Sequence, residues 1–84
     1  MKSRFWADYP AREFAALPRE RLIAVLPVGA IEQHGPHLPI ATDVAIAQGM
    51  LDQLRRTRPD DLDFLVLPLQ EIGKANEHVF GPGT

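Results

Sequence analysis

Eighty-four residues with no cysteine and a net charge of −2 leave room for at most one small domain. They exclude a disulfide-stapled scaffold and a thiolate zinc site. Acids and bases are interspersed, so there is no basic footprint for nucleic acid, and the longest apolar run, Leu22 to Ile31, is far short of the ~20 residues that span a bilayer.

The N-terminus Met1-Lys2-Ser3-Arg4 is basic, but Asp8 and Pro10 arrive too soon for a secretory segment. The lack of cysteine fits a reducing compartment. These features lead us to expect a soluble, cytoplasmic protein with no nucleic-acid or membrane partner.

Pro10 to Leu17 reads as a short helix ended near Pro18, because proline at an early helical position gives up an N–H that has no partner there anyway. Trp6 and Phe14 are expected to pack in the core. Leu22 to Val28 is a continuous apolar run, the pattern of a strand covered on both faces in a parallel sheet. Pro27 should end it, and Gly29 should free the chain to turn. Residues 29 to 43 form a loop rich in Gly, Pro and His. Val44, Ala47, Met50, Leu51 and Leu54 then recur at helical spacing, with Thr42 or Asp43 available as the cap. Arg55, Arg56 and Arg58 suit the negative end of the helix dipole, and Pro59 stops the helix.

Phe64 to Leu69 is a second apolar strand, and Gln70 to Thr84 reads as a loop. Strand, helix, strand in this order implies two parallel strands joined by a right-handed crossover. Two such strands and one helix leave a parallel sheet incompletely covered. The expected fold class is therefore α/β, with residues 1–84 a single partial domain. Both loops leave the C-terminal ends of their strands, the edge of an open α/β sheet at which ligands bind.

The chemistry-bearing stretch is Glu32-Gln33-His34-Gly35-Pro36-His37-Leu38-Pro39-Ile40-Ala41-Thr42-Asp43. Residues two apart on an extended segment point the same way, so Glu32 and His34 share a side. With Asp43 returning at a helix start, carboxylate, imidazole and carboxylate would suit Zn²⁺, Mn²⁺ or Fe²⁺. Such a metal lowers the pKa of bound water and makes hydroxide available at neutral pH. The plainer alternatives are that His34 hydrogen-bonds a nearby backbone group and that Asp43 only caps the helix. His37 reads as a supporting or structural residue. Glu71, Lys74, Asn76, Glu77 and His78 form a second polar loop facing the first or lying in solvent.

Leu26-Pro27-Val28-Gly29-Ala30-Ile31-Glu32-Gln33-His34-Gly35-Pro36-His37-Leu38-Pro39, followed by Thr42-Asp43, resembles the first signature of the creatininase family. Gly73-Lys74-Ala75-Asn76-Glu77-His78 with Pro82-Gly83-Thr84 resembles its second, with Ala75 where that family usually has serine and Phe80 one place early. The resemblance implies the N-terminal β-α-β portion of a three-layer α/β domain with a mainly parallel sheet. It also implies a homo-oligomer and two divalent metals per site, zinc, manganese or iron. Glu32, His34 and Asp43 would be ligands, with Asp43 bridging cations held ~3.5–4 Å apart. His37, Glu77 and His78 would support the ligands or line a substrate loop.

The implied reaction is metal-dependent hydrolysis of a C–N bond in a small amide or cyclic amide. Family members act on creatinine, on a formylaminopyrimidine or on a peptide precursor of a redox cofactor. They are considerably longer, and later motifs complete their metal shell, so the 84-residue chain alone is expected to be an inactive N-terminal fragment. The alternatives are a non-catalytic remnant and a metal-binding module that depends on a partner.

Overall fold

A computed structural model of the chain describes residues 4–58, 61–74 and 80–83. Two short 3₁₀ segments, Trp6–Asp8 and Ala11–Ala16, precede strand β1 (Ile23–Val25), helix α1 (Thr42–Thr57) and strand β2 (Phe64–Val66). The expected early helix is therefore present as a 3₁₀ segment, ended at Leu17 as the chain enters Pro18. β1 and β2 pair in parallel, with Ile23 opposite Phe64, Ala24 opposite Leu65 and Val25 opposite Val66. With a helix between two parallel strands, the architecture is α/β.

The pairing outlasts the named strands. The Leu67 N–H donates to the Val25 carbonyl (2.8 Å) and the Gln70 N–H to the Pro27 carbonyl (2.9 Å). The Gly29 N–H then donates to Gln70 (3.0 Å) and the Ile31 N–H to Glu71 (3.1 Å). Pro27 and Pro68 have no N–H to give, so the ladder is interrupted beside them and resumes at the Val28–Gln70 bridge. Gln70 and Glu71 are thus partly sheet-bound, where the sequence suggested only loop.

β2 is also held on its other side. Phe5 bridges Val66 in parallel, and the Val66 N–H donates to the Arg4 carbonyl (2.7 Å). The Arg4 guanidinium donates to the Leu62 carbonyl (2.8 Å) and lies 4.7 Å from the centroid of the Phe64 ring. This central placement explains the core, which among the described residues consists of Phe64, Leu65, Val66 and Val44.

Two expectations are corrected here. β1 is not covered on both faces: Ile23 and Ala24, which point to opposite faces, are both exposed, and among the described residues β1 is an edge strand. The apolar run before Gly29 therefore presents Ile23, Leu26 and Val28 to the surface. Trp6 and Phe14 are not core residues either. Their rings stack on each other at 4.6 Å, with Tyr9 beside Phe14 at 5.9 Å, and Trp6 remains exposed. They form a separate aromatic cluster on the two 3₁₀ segments.

In α1, beyond the half-buried Thr42 and Asp43 of its first turn, Val44, Ala47, Leu51 and Leu54 are the buried or half-buried positions and follow the helical repeat, whereas Met50, expected in the same stripe, is exposed. Ile46 and Met50 lie on a different face, in solvent. The helix ends as expected for an arginine-rich last turn: Arg58 donates to the Arg55 carbonyl (2.7 Å), and Arg55 also lies over the Phe5 ring at 4.9 Å. Pro59, expected to stop the helix, lies outside the described residues.

Candidate metal centre

The loop from Ile31 to Thr42 is a compact out-and-back excursion. The chain leaves along Glu32 to His34, turns through Gly35-Pro36-His37 and returns along Leu38 to Ile40. The Glu32 N–H donates to the Ile40 carbonyl (3.1 Å), and His34 bridges Leu38 in antiparallel fashion. Gly35 has φ of 76°, a left-handed conformation that costs other residues roughly 1–2 kcal/mol, and its N–H donates to Gln33 Oε1 (3.0 Å). The excursion therefore brings the start of α1 back beside the residues where it began.

Thr42 and Asp43 do not cap α1 as expected. Ala41 holds the cap position, and no side chain bonds there. The Thr42 hydroxyl and N–H both donate to the Pro39 carbonyl, at 2.6 and 3.2 Å, because the tight return leaves that acceptor directly before the helix. Asp43 falls one residue further on, in the first turn, so its carboxylate faces the loop instead of the helix N–H groups.

The result is a convergence of three side chains. Glu32, His34 and Asp43 each offer a ligand atom, and those atoms all lie within 4.8 Å of one another. All three residues are half-buried. His34 Nδ1 lies 2.9 Å from the Glu32 backbone carbonyl, and Nε2 lies 3.3 Å from Asp43 Oδ1. A carbonyl oxygen only accepts, so Nδ1 must carry the proton. The neutral ring then presents its Nε2 lone pair toward Asp43, the tautomer that an imidazole binding a metal through Nε2 requires.

The Glu32 carbonyl raises the His34 pKa above its ordinary value. Partial burial opposes this, and the negative charges of Asp43 and Glu32 add to it. The carboxylates thus favour the protonated ring over what a free imidazole would show. Two carboxylates with an imidazole fit a borderline divalent cation, and the orientation of Nε2 passes the same test.

Two further elements hold this loop in place. Glu32 bridges Gly83 in antiparallel fashion on the side away from Ile40. Gly29 approaches the start of α1 so closely that a Cβ there would lie 3.1 Å from the Asp43 carbonyl oxygen. Gly29 does not have positive φ, so its value is closeness and not, as its position suggested, freedom to turn.

His37 sits in the exposed turn and does not join the three ligands. Glu71 and Lys74 are exposed. Asn76, Glu77 and His78 lie outside the described residues, as does Ala75. Gly81 and Gly83 were legible only as loop punctuation, since a glycine's contribution at a close approach is a missing Cβ and leaves no side-chain signal.

Sheet edge, helix start and a convergent group of two carboxylates and an imidazole define an α/β chain with a candidate metal site, and comparison with known proteins makes the class specific. The creatininase family model, described as creatinine amidohydrolase, matches residues 7–84, and the chain belongs to that family. Among individual proteins it is similar to the mycofactocin precursor peptide peptidase of Mycolicibacterium smegmatis, 41% identical over 64 residues that cover 74% of this chain and 26% of that protein. The protein of the same name from Mycobacterium tuberculosis is 36% identical over 74 residues, covering 81% of this chain and 30% of the relative. That from Mycobacterium ulcerans is 35% identical over 68 residues, covering 71% and 26%. The chain thus spans about 26–30% of the length of these relatives. No solved structure matches it significantly. Among the described residues, no helix is long and apolar enough to cross a membrane.

Proposed function

We propose that this chain supplies the metal-holding part of an enzyme that hydrolyses an amide-type C–N bond, with Glu32, His34 and Asp43 as ligands. The observation that carries the proposal is the convergence of their three donor atoms within 4.8 Å. Zinc, manganese or iron fits this donor set, and a second cation bridged by Asp43 is part of the proposal. When bound, the metal would polarise a carbonyl and lower the pKa of water.

The chain's own residues divide the remaining work. The Glu32 carbonyl holds His34 Nδ1–H and so aims Nε2 at the site. Glu32 and Asp43 provide negative charge that would neutralise a divalent cation. The Glu32–His34 segment is paired on both flanks, which fixes the ligands before any substrate arrives.

The substrate class we favour is a peptide or peptide-like amide, on the strength of the relatives named as precursor peptide peptidases. We further propose that residues 1–84 form part of the family's three-layer domain, that the working form is a cytoplasmic homo-oligomer, and that His37, Glu77 and His78 support the ligands or contact substrate. The test is metal content and peptide-amide hydrolysis by the native protein, side by side with Glu32→Gln. Stoichiometric metal and turnover in the native form, both lost in the variant, support the assignment. Turnover that survives Glu32→Gln and chelation would overturn it.

A second reading is a metal-binding module without catalysis. Its support is that only three ligand residues converge among the described residues, which leaves positions on the cation to be filled from elsewhere. Tight metal uptake by the native protein with no amide turnover would favour it.

A further inference from the structure

The segment Gly81-Pro82-Gly83 lies against the backbone that carries Glu32 and His34. Gly83 forms the antiparallel bridge with Glu32. A Cβ built on Gly83 would lie 2.5 Å from the Ile31 carbonyl oxygen and 2.9 Å from Glu32 Cα. Both obstacles are backbone atoms, so no side-chain rotation relieves them. Gly83 also has φ of 156°, which side-chain-bearing residues rarely adopt. Two residues earlier, a Cβ on Gly81 would lie 2.8 and 2.9 Å from Cγ and Cβ of Gln33, the residue between the two ligands. Gln33 is itself fastened, because its Oε1 accepts the Gly35 N–H.

From this close approach we infer that Gly83, assisted by Gly81, is a positioning residue of the metal centre, seating the Glu32–His34 strand at the distance that brings both side chains to Asp43. This rests on the metal-centre reading above and adds a determinant outside the ligand loop. The opposite flank of the same strand is fixed by Ile40 and Leu38, so Gly83 closes the one side that the ligand loop itself leaves open. Any Cβ at residue 83 must push Ile31 and Glu32 away. That movement displaces the Glu32 carbonyl, and with it the hydrogen bond that aims His34. One substitution would thus disturb two ligands without touching either side chain.

The experiment is Co²⁺ titration of the full native protein, read by the d–d absorption band and by affinity, with urea unfolding measured in parallel. Variants are Gly83→Ala, Gly81→Ala, and Gly73→Ala as the comparison, where the new Cβ would make only an ordinary 3.7 Å contact with the Ala30 Cβ. Gly83→Ala is expected to weaken Co²⁺ binding about 10–100-fold, the range for losing outer support of a metal ligand, and to change the band at saturation. Gly81→Ala should show a smaller change of the same kind, since it presses on a side chain, and Gly73→Ala should match the native protein. A merely structural role would lower the urea midpoint yet restore the native band at saturating Co²⁺, which overturns the inference. Unchanged affinity in Gly83→Ala overturns it too. If Gly83→Ala does not fold, native affinity and band in Gly81→Ala decide against the role. The underlying reading fails separately, by absence of Co²⁺ uptake in the native protein or by indifference to Glu32→Gln.

Discussion

His34 Nε2 stands 3.3 Å from Asp43 Oδ1 while Nδ1 of the same ring is bound to the Glu32 carbonyl, so a single imidazole ties the outgoing strand of the loop to the helix start. This pairing separates two roles for Asp43 that sequence alone leaves open. Ala41 occupies the helix cap, so Asp43 contributes to the helix only through charge near its positive end, worth roughly 0.3–1 kcal/mol. Asp43→Asn is expected to shift the urea-derived stability of the metal-free protein by no more than about 1 kcal/mol. The same change should weaken divalent-metal uptake by at least tenfold. A large loss of stability with unchanged metal affinity, measured by equilibrium dialysis against Zn²⁺, would return Asp43 to a structural role.

Gly35 makes the turn that brings the loop back. Nothing lies within 4 Å of a Cβ placed on it, so a substitution there meets backbone preference alone. Gly35→Ala should cost about 1 kcal/mol, and Gly35→Asn less, since Asn visits the left-handed region readily. Gly35→Val should cost more than either, because its branched Cβ is the least compatible with positive φ. Urea midpoints of the three variants check the order. Equal losses in all three would mean that the left-handed turn is not what the position requires.

The core prediction follows from the position of β2 between β1 and the Phe5 segment. Leu65 is 0% exposed, whereas its parallel neighbour strand presents Ile23 at 48%. Leu65→Ala should therefore cost about 2–5 kcal/mol, a large share of any small domain's stability. Ile23→Ala should cost well under half as much in the isolated chain. Chemical denaturation of the two variants measures the contrast. A comparable loss at Ile23 would mean that β1 is covered in solution by something beyond the described residues.

The sequence announces its two strands because Leu22–Val28 and Phe64–Leu69 are apolar without alternation, and it announces α1 through the spacing of Val44, Ala47, Met50, Leu51 and Leu54, of which Met50 alone turns out to be exposed. It does not announce which strand is central. That depends on Phe5 pairing with Val66, a single bridge with no periodic pattern behind it. The same distinction holds at the site. Glu32 and His34 are legible as a pair because they are two apart on an extended segment, and Asp43 because it follows a proline-stiffened return. The cap at Ala41 was illegible, since propensity favours Thr42 and Asp43, and the tertiary return placed the Pro39 carbonyl where Thr42 would bond it instead. Gly83 was illegible for a different reason: its partner is a backbone more than fifty residues distant in sequence, and its signature is an atom that is not there.

At the opposite end of the strands, Arg21 Nε donates to Asp63 Oδ2 at 2.5 Å, directly beside the backbone bond from the Ile23 N–H to the Asp63 carbonyl. That hydrogen bond is the main cause holding the Asp63 carboxyl below its ordinary value. Burial works against it, and the charges of Arg21 and Arg4 reinforce it. A carboxyl depressed in the folded state binds its proton more weakly than in the unfolded chain. Its contribution to stability is therefore present above the unfolded carboxylate range, near 4, and is lost as the pH falls through the lower folded value. Metal-free protein should lose part of its stability between about pH 4 and the folded pKa, and Asp63→Asn should remove that part of the acid dependence while leaving the profile above pH 5 parallel to that of the native chain. Arg21 is well exposed, so salt should weaken the effect. Urea unfolding of both proteins across this range, at low and high ionic strength, is the measurement. Identical acid profiles for native and Asp63→Asn would show that the ion pair anchoring the start of β1 to the start of β2 does not contribute to holding the sheet together.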